Sequence, residues 1–251
     1  MSKISIKNQK FRLGYPSTLV FDNMGKTINV FRIEYLRDIP RFNIKKGDKG
    51  GFVEYACNLS QDDDAVIIGN AVVTGSAWVF GDACVCGNAR VSGEAWVGED
   101  AIVSGDSRVF DHAVVGGRAQ VCMGAQVFEN ARVGENAVIT GNASMCGNAL
   151  VTGSAKVSGS ADVSGDAKIG GKAIVTDGAK VCQAAQINGN AIVCKRAKIG
   201  GHAKITDNAV VGDYCIIGGK TQVVGSAELS GHVKNLAGDI IDADIHVEKT
   251  K

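Results

Sequence analysis

The sequence predicts an all-β protein: a single parallel β-helix of about ten triangular coils, closed at its N-terminal end by a small β-hairpin cap. Three observations point there. Twenty-nine six-residue units of the form G-x-A-x-V-x run in one frame from Asp63 to Leu236, without insertion or deletion. The third position is Ala in 25 of them, the exceptions being Ser107, Cys215, Thr221 and Val233. The fifth is aliphatic or Met everywhere except at Asn235. A fixed short period of this kind marks a solenoid rather than a globular core.

Each element follows from the unit. Positions 3 and 5 lie two apart, so in a short strand both point to one side while position 4 points away. Position 1 is usually Gly and position 2 usually Asn, Asp or Ser, residues that accept close turns and positive φ. A hexad is therefore a short strand plus a corner, and three hexads close one coil with Ala and Val inside. Stacked in parallel at ~4.8 Å, under ten such coils make a prism on the order of 45 Å long.

The first fifty residues have no hexad phase and hold both prolines, Pro16 and Pro40. Leu19–Phe21 and Thr27–Ile33, separated by the turn-like Asp22-Asn-Met-Gly-Lys, read as a β-hairpin that caps the open sheet edges of the first coil. Phe52 to Asp62 reads as a degenerate first coil. Ala237 to Glu248 loses the Gly–Ala phase and turns acidic, which predicts an irregular C-terminal cap. The expected division is 1–50 as cap, 51–236 as β-helix and 237–251 as irregular tail.

Composition narrows the function classes. Thirty-three glycines, two prolines and 6% aromatics over 251 residues fit a core of small side chains, and a net charge of +1 supplies no global field for nucleic acid or an anionic membrane. No apolar run approaches the roughly 18 residues of a membrane span or forms a signal peptide, so a cytoplasmic location is expected. The eight cysteines contain no C-x-x-C and no pair 18 residues apart. They read as reduced thiols rather than a disulfide framework. No set of histidines has zinc-site spacing, so no metal is expected.

The motif aliphatic-x-Gly-x-Ala-x, carried over about 70% of the chain, resembles the hexapeptide-repeat superfamily, the left-handed β-helix known from bacterial acyltransferases. Within it the chain is most similar to the regular, loop-free members of bacteria and phages. The resemblance implies a left-handed coil, a homo-oligomer with a trimer ahead of a dimer, and an acyl-CoA donor with a histidine as base.

Because residues 18 apart stack, outward positions sort into three faces. The first carries Val66, Cys84, Ile102, Gln120, Val138, Lys156, Ile174, Ile192, Val210 and Glu228 at position 4. Its apolar members, Val66, Ile102, Val138, Ile174, Ile192 and Val210, form a candidate oligomer interface. The second face shows Arg90 stacked with Arg108, and the third Trp78 stacked with Trp96, the two tryptophans of the chain, beside Phe80.

At the corner between the second and third faces, Glu94 stacks with His112 and Asp111 with Glu129, preceded by Phe110 and Phe128. Glu94, His112, Asp111, Glu129, Arg90, Arg108 and Trp96 are thus expected within about three coils of one edge. A His beside a carboxylate suits a general base, and stacked arginines suit an anion. The bland alternative is a set of surface ion pairs worth little each, with tryptophans that simply pack across strands.

Two functions compete. One is a rigid, non-catalytic binding protein that engages a protein partner or a small anionic ligand through Trp78, Trp96, Arg90, Arg108, Phe110 and Glu129, with no cofactor. The other, implied by the resemblance, is an acyl-CoA-dependent acyltransferase (acetyl-CoA or another acyl-CoA) with His112 as base and Glu94 beside it. The chain departs from that family in having no loop extruded from 29 hexads and only a short acidic tail, so the binding reading comes first. Gly153–Lys204 holds eight bases against three acids, but a solvated face explains that better than nucleic acid. An ice-binding face is set aside because threonines do not line one column.

Overall fold

The computed structural model describes residues 9–15, 17–21, 25 and 27–247. They form a parallel β-solenoid with three flat sheets of 14, 10 and 11 strands, so the shaft makes about eleven turns. The hexad register holds from Val66 to Ile216. Trp78 pairs with Trp96, Arg90 with Arg108 and Ile174 with Ile192, each 18 residues apart in parallel. The strand proper covers positions 4 and 5 only, as in Val138–Ile139, while positions 6, 1, 2 and 3 make the corner.

Ladder hydrogen bonds run up the axis. Val138 N–H donates to the carbonyl of Ala155, Thr140 N–H to Val157 and Asn142 N–H to Gly159, at 2.9, 2.9 and 2.7 Å. Positions 3 and 5 fill the interior, so Ala131, Ala137, Ile139, Ala143, Met145 and Ala149 are all fully buried. Two inward side chains per hexad, one of them a methyl, is what a narrow triangular section can hold at native packing density.

From Gly69 to Gly231, position 1 sits at positive φ in every hexad. At Gly153 it is 71°, and the ideal Cβ of a replacement would lie 2.5 Å from the carbonyl oxygen of Gly171 in the next coil. Ten shaft residues adopt a positive φ without being Gly, among them Glu99, Glu129, Glu135, Asp177 and Asp213. Their side chains supply a reason. Glu99, Glu129, Glu135, Asp207 and Asp213 each accept a hydrogen bond from the position-1 N–H one coil up, as Glu135 does from Gly153 at 2.9 Å. That amide makes no ladder bond among the described residues, so the carboxylate meets an otherwise unsatisfied donor.

The cap is a three-stranded arrangement: β1 (Phe11–Leu13) and β2 (Thr18–Phe21) both pair antiparallel with β3 (Thr27–Tyr35). The hairpin expected between Leu19 and Ile33 is therefore present, although most of its turn lies outside the described residues. Strand β4 (Lys49–Val53) pairs antiparallel with β3 and parallel with Val72–Val73, so it joins the cap to the second face. The edges of the other two faces are closed mainly by side chains, with one backbone bond on the third face, from the Ser60 N–H to the Val79 carbonyl. The Tyr35 hydroxyl bonds both the N–H and the carbonyl of Ile67, and the Lys10 ammonium donates to the carbonyl of Ala65 and to Asp63. Asn58 donates to the carbonyls of Gly75 and Ala77. Outside, Arg37 pairs with Asp64, and Arg41 reaches both Asp82 and Asp100.

The tail differs from the irregular cap that Ala237–Glu248 predicts. Lys234–Ala237, Ile240–Ile241 and Ile245–Val247 add one more strand to each face. The hexad phase disappears because the register slips: Ile216 pairs with Lys234, but Ile217 pairs with Leu236. One extra residue in the strand is a β-bulge, which breaks the period while the ladder continues.

Candidate functional site

The residues expected near one edge sit on the corner between the second and third faces and on the strands that flank it, and make three groups of contacts. At the corner between the second and third faces, His112 Nδ1 lies 3.2 Å from Glu94 Oε2, and both side chains are about two-thirds exposed, at 60% and 66%. Asp111 Oδ2 accepts the Glu129 N–H, and Glu129 Oε2 accepts the Gly147 N–H at 2.6 Å. Together these residues border a shallow depression of about 380 Å³. Phe110 and Phe128 stack face to face just before it, with centroids 4.9 Å apart. Asp111 and Glu129 are thus committed to backbone amides, which leaves the His112–Glu94 pair as the one catalytic-looking feature of this corner.

The tryptophans form a second group further round the third face. Trp78 stacks on Phe80 at 4.2 Å, and Trp96 meets both rings edge-on at 6.1 and 6.5 Å. Phe80 lies over Gly98, where a Cβ would come within 2.2 Å of the ring. Trp78 and Trp96 remain 38% and 50% exposed. Three aromatic rings packed on one another and still open to solvent are a hydrophobic surface held in fixed geometry.

The arginines make a third group. Arg90 and Arg108 line a groove between the second face and strand β2. The corner redirects the chain between faces, and neighbouring positions in each strand alternate in and out. Stacking by 18 residues therefore sets who is above whom, but it says nothing about which way a long side chain leans.

The apolar stripe of the first face also begins later than its sequence suggests. Val66 is fully buried and Cys84 nearly so, covered within the chain together with Ile39, Ile44 and the partly buried Phe42. Val66 is therefore not available to a second subunit. Ile102 is exposed, and Val138, Ile174, Ile192 and Val210 are half-buried. All eight cysteines are free thiols.

One cluster is absent from the expectations above. At the corner between the first and second faces, Asp177, Lys195 and Asp213 occupy position 1 of three successive coils, at φ of 60°, 57° and 54°. The Lys195 ammonium lies 2.5 Å from Asp213 Oδ1, which raises the lysine and holds the carboxyl below its ordinary value. Beside them Arg196 lies over the Tyr214 ring, which stacks on His232 at 4.9 Å. The signal was the same 18-residue spacing, applied to positions 1 and 2 instead of position 4. Its charges pair with one another, so the cluster reads as structural.

Residues 83–99 match the family model described as YdcK Beta solenoid repeat. The chain is a β-solenoid repeat protein. The matched stretch is just short of one coil and carries one strand of each face, Cys84–Val85, Arg90–Val91 and Trp96–Val97. No curated protein matches the chain. Among the described residues no helix is long and apolar enough to cross a membrane, and no group of three or more His, Cys, Asp or Glu is placed to hold a metal ion.

Proposed function

We propose that this solenoid is a rigid, homo-oligomeric binding protein without catalytic activity, whose protein partner docks on Trp78, Phe80 and Trp96. The exposed, mutually packed aromatic cluster carries this reading. Large rigid side chains held in place by their neighbours lose little entropy on binding, which is why aromatic residues dominate interface energetics. The ladder beneath them fixes their positions without a loop to order. Partner capture on wild-type protein that is lost with Trp96→Ala, at unchanged stability, is the expected result; capture unaffected by Trp96→Ala sinks the assignment.

Self-association is assigned to the first face from Ile102 to Val210, in a trimer or dimer. Ile174→Asp is expected to reduce the mass measured by light scattering to that of one chain. An unchanged mass would remove this face from the assembly.

The 3.2 Å contact of His112 with Glu94 favours a second reading, an acyltransferase using acetyl-CoA or another acyl-CoA with His112 as general base. Against it, the pair sits on an outer corner in a shallow depression, whereas acyl transfer needs an oriented and desolvated acceptor. Calorimetric titration with acetyl-CoA and with CoA separates the two. The binding-protein reading expects no heat; micromolar affinity and turnover lost in His112→Ala would replace it.

A further inference from the structure

Cys84 and Cys86 form the one C-x-C of the chain. They hold positions 4 and 6 of one hexad, on either side of Val85, which points inward and is fully buried. Residues two apart in a strand project from the same side, so both thiols point away from the core. The preceding hexad shows how close these positions bring their side chains: Trp78 and Phe80 occupy them and stack at 4.2 Å. The backbone is pinned here, because the N–H groups of Cys84 and Cys86 donate to the carbonyls of Ala101 and Val103, each at 2.9 Å. Both residues are free thiols.

The two sulfurs differ in setting. Cys84 is 7% exposed and joins the cluster that includes Ile39 and Ile44 of the cap, whereas Cys86 is half-buried at the edge of that cluster. A negative charge therefore settles on Cys86, where water reaches it. The Cys84 S–H donates to that sulfur, and this hydrogen bond holds the Cys86 thiol below its ordinary value and pushes Cys84 above. A nucleophilic sulfur open to solvent, beside a second and protonated one, is suited to being oxidised and then resolved. Closure is within reach. Two strand rises of ~3.3 Å put the Cα atoms about 6.6 Å apart, against the roughly 4.4–6.8 Å that disulfides span. A bridge near the upper limit is strained and so readily reduced.

We infer that Cys84 and Cys86 are a reversible oxidation site for hydroperoxides, with Cys86 the attacking sulfur and Cys84 the resolving one. The Cys86 sulfur attacks the terminal oxygen of ROOH, the O–O bond breaks, and the RO group leaves as ROH with the proton that Cys86 had lost. The Cys84 sulfur then attacks the Cys86 sulfenic acid; the S–O bond breaks and hydroxide leaves as water with the Cys84 proton. Two thiols and ROOH thus become a disulfide, ROH and water, a two-electron oxidation that a dithiol reductant reverses. The chain is modified without turnover, so the site stands independently of the binding-protein reading.

The test treats the full reduced chain with hydrogen peroxide, followed by alkylation in denaturant and peptide mass mapping. Loss of two of the eight thiols is expected, both in the peptide that holds Cys84 and Cys86, with a mass loss of two hydrogens that dithiothreitol restores. In Cys84→Ser the reaction should stop at the sulfenic acid, trapped on Cys86 by dimedone. In Cys86→Ser oxidation at Cys84 should slow about tenfold, since an ordinary thiol is only a few per cent ionised at pH 7 and burial lowers that fraction further. Cys122→Ser is expected to behave as wild type. Alkylation of both Cys84 and Cys86 after peroxide, a disulfide between chains, or an unchanged oxidation rate in Cys86→Ser overturns the inference. Mapping of the wild-type chain decides it even where a serine variant fails to fold.

Discussion

The cap and the shaft are held together by different kinds of contact. In the shaft each coil repeats the bonds of the one below, so Ala, Val and Gly recur and no single side chain is indispensable. In the cap, three unlike side chains do what a missing coil would do: Lys10, Tyr35 and Asn58 reach the free backbone groups of Ala65, Ile67, Gly75 and Ala77. A solenoid end exposes an apolar interior and a row of unpaired amides. Stability is therefore distributed along the shaft and concentrated at its end.

Asp63→Asn tests that concentration most severely. The Lys10 side chain is fully buried and 3.1 Å from Asp63 Oδ1. Burial pushes the Lys10 ammonium below its ordinary pKa of 10.5, against the pull of Asp63. Removing the charge leaves a buried cation with neutral acceptors alone, the Ala65 carbonyl and the amide oxygen of the replacement, and a loss of about 3 kcal/mol is expected in urea unfolding. The pH dependence has a definite sign. The folded state holds the Lys10 proton more weakly than the unfolded state, so stability rises with pH between the depressed folded value and 10.5. The variant should therefore recover part of its loss as pH approaches 10; an equal loss at pH 7 and 10 would show that Lys10 is not the seat of the effect.

Tyr35→Phe keeps the ring and removes the hydroxyl, leaving two buried backbone groups of Ile67 without a partner. A loss of about 2 kcal/mol is expected. A change under about 0.5 kcal/mol, the size of an ordinary surface substitution, would mean that this sheet edge needs no closure.

Shaft glycines give a finer contrast. Gly153→Ala places a Cβ at φ 71° against the backbone of Gly171, and should cost about 1–2 kcal/mol. Gly153→Glu should cost less, though it is the larger residue, because its carboxylate can take the Gly171 N–H as Glu135 takes that of Gly153. If alanine proves the milder replacement, the amide-capping role of the position-1 acids is wrong.

The shaft was legible because its physics is periodic: one inward Ala and one inward aliphatic residue in every six fix strand, corner and stacking register together. Tyr35 and Lys10 carry no such signal. Their partners lie 32 and 55 residues away, and nothing local marks a Lys as buried. The same limit governs the site. The spacing placed Glu94 against His112 and Trp78 against Trp96, both found in contact. It could not show that the cap covers Val66, that Arg108 faces Val20 across a groove, or that Ala237–Val247 continues the ladder past a bulge.

The smallest expected effect lies on the third face. Trp96 is half exposed, and its ring contacts are with Trp78 and Phe80. Trp96→Ala removes edge-on aromatic contacts worth about 0.5–1.5 kcal/mol in a packed pair, less where water already reaches one side. The strand beneath keeps its backbone ladder and its inward Val97, so unfolding should shift by no more than about 0.5 kcal/mol. A cluster kept only to hold coils together would give a loss several times larger, comparable with Tyr35→Phe, and no defect in partner capture. Near-native stability together with lost capture is the combination that separates an interaction surface from packing, because the shaft can spare an outward side chain in a way the cap cannot.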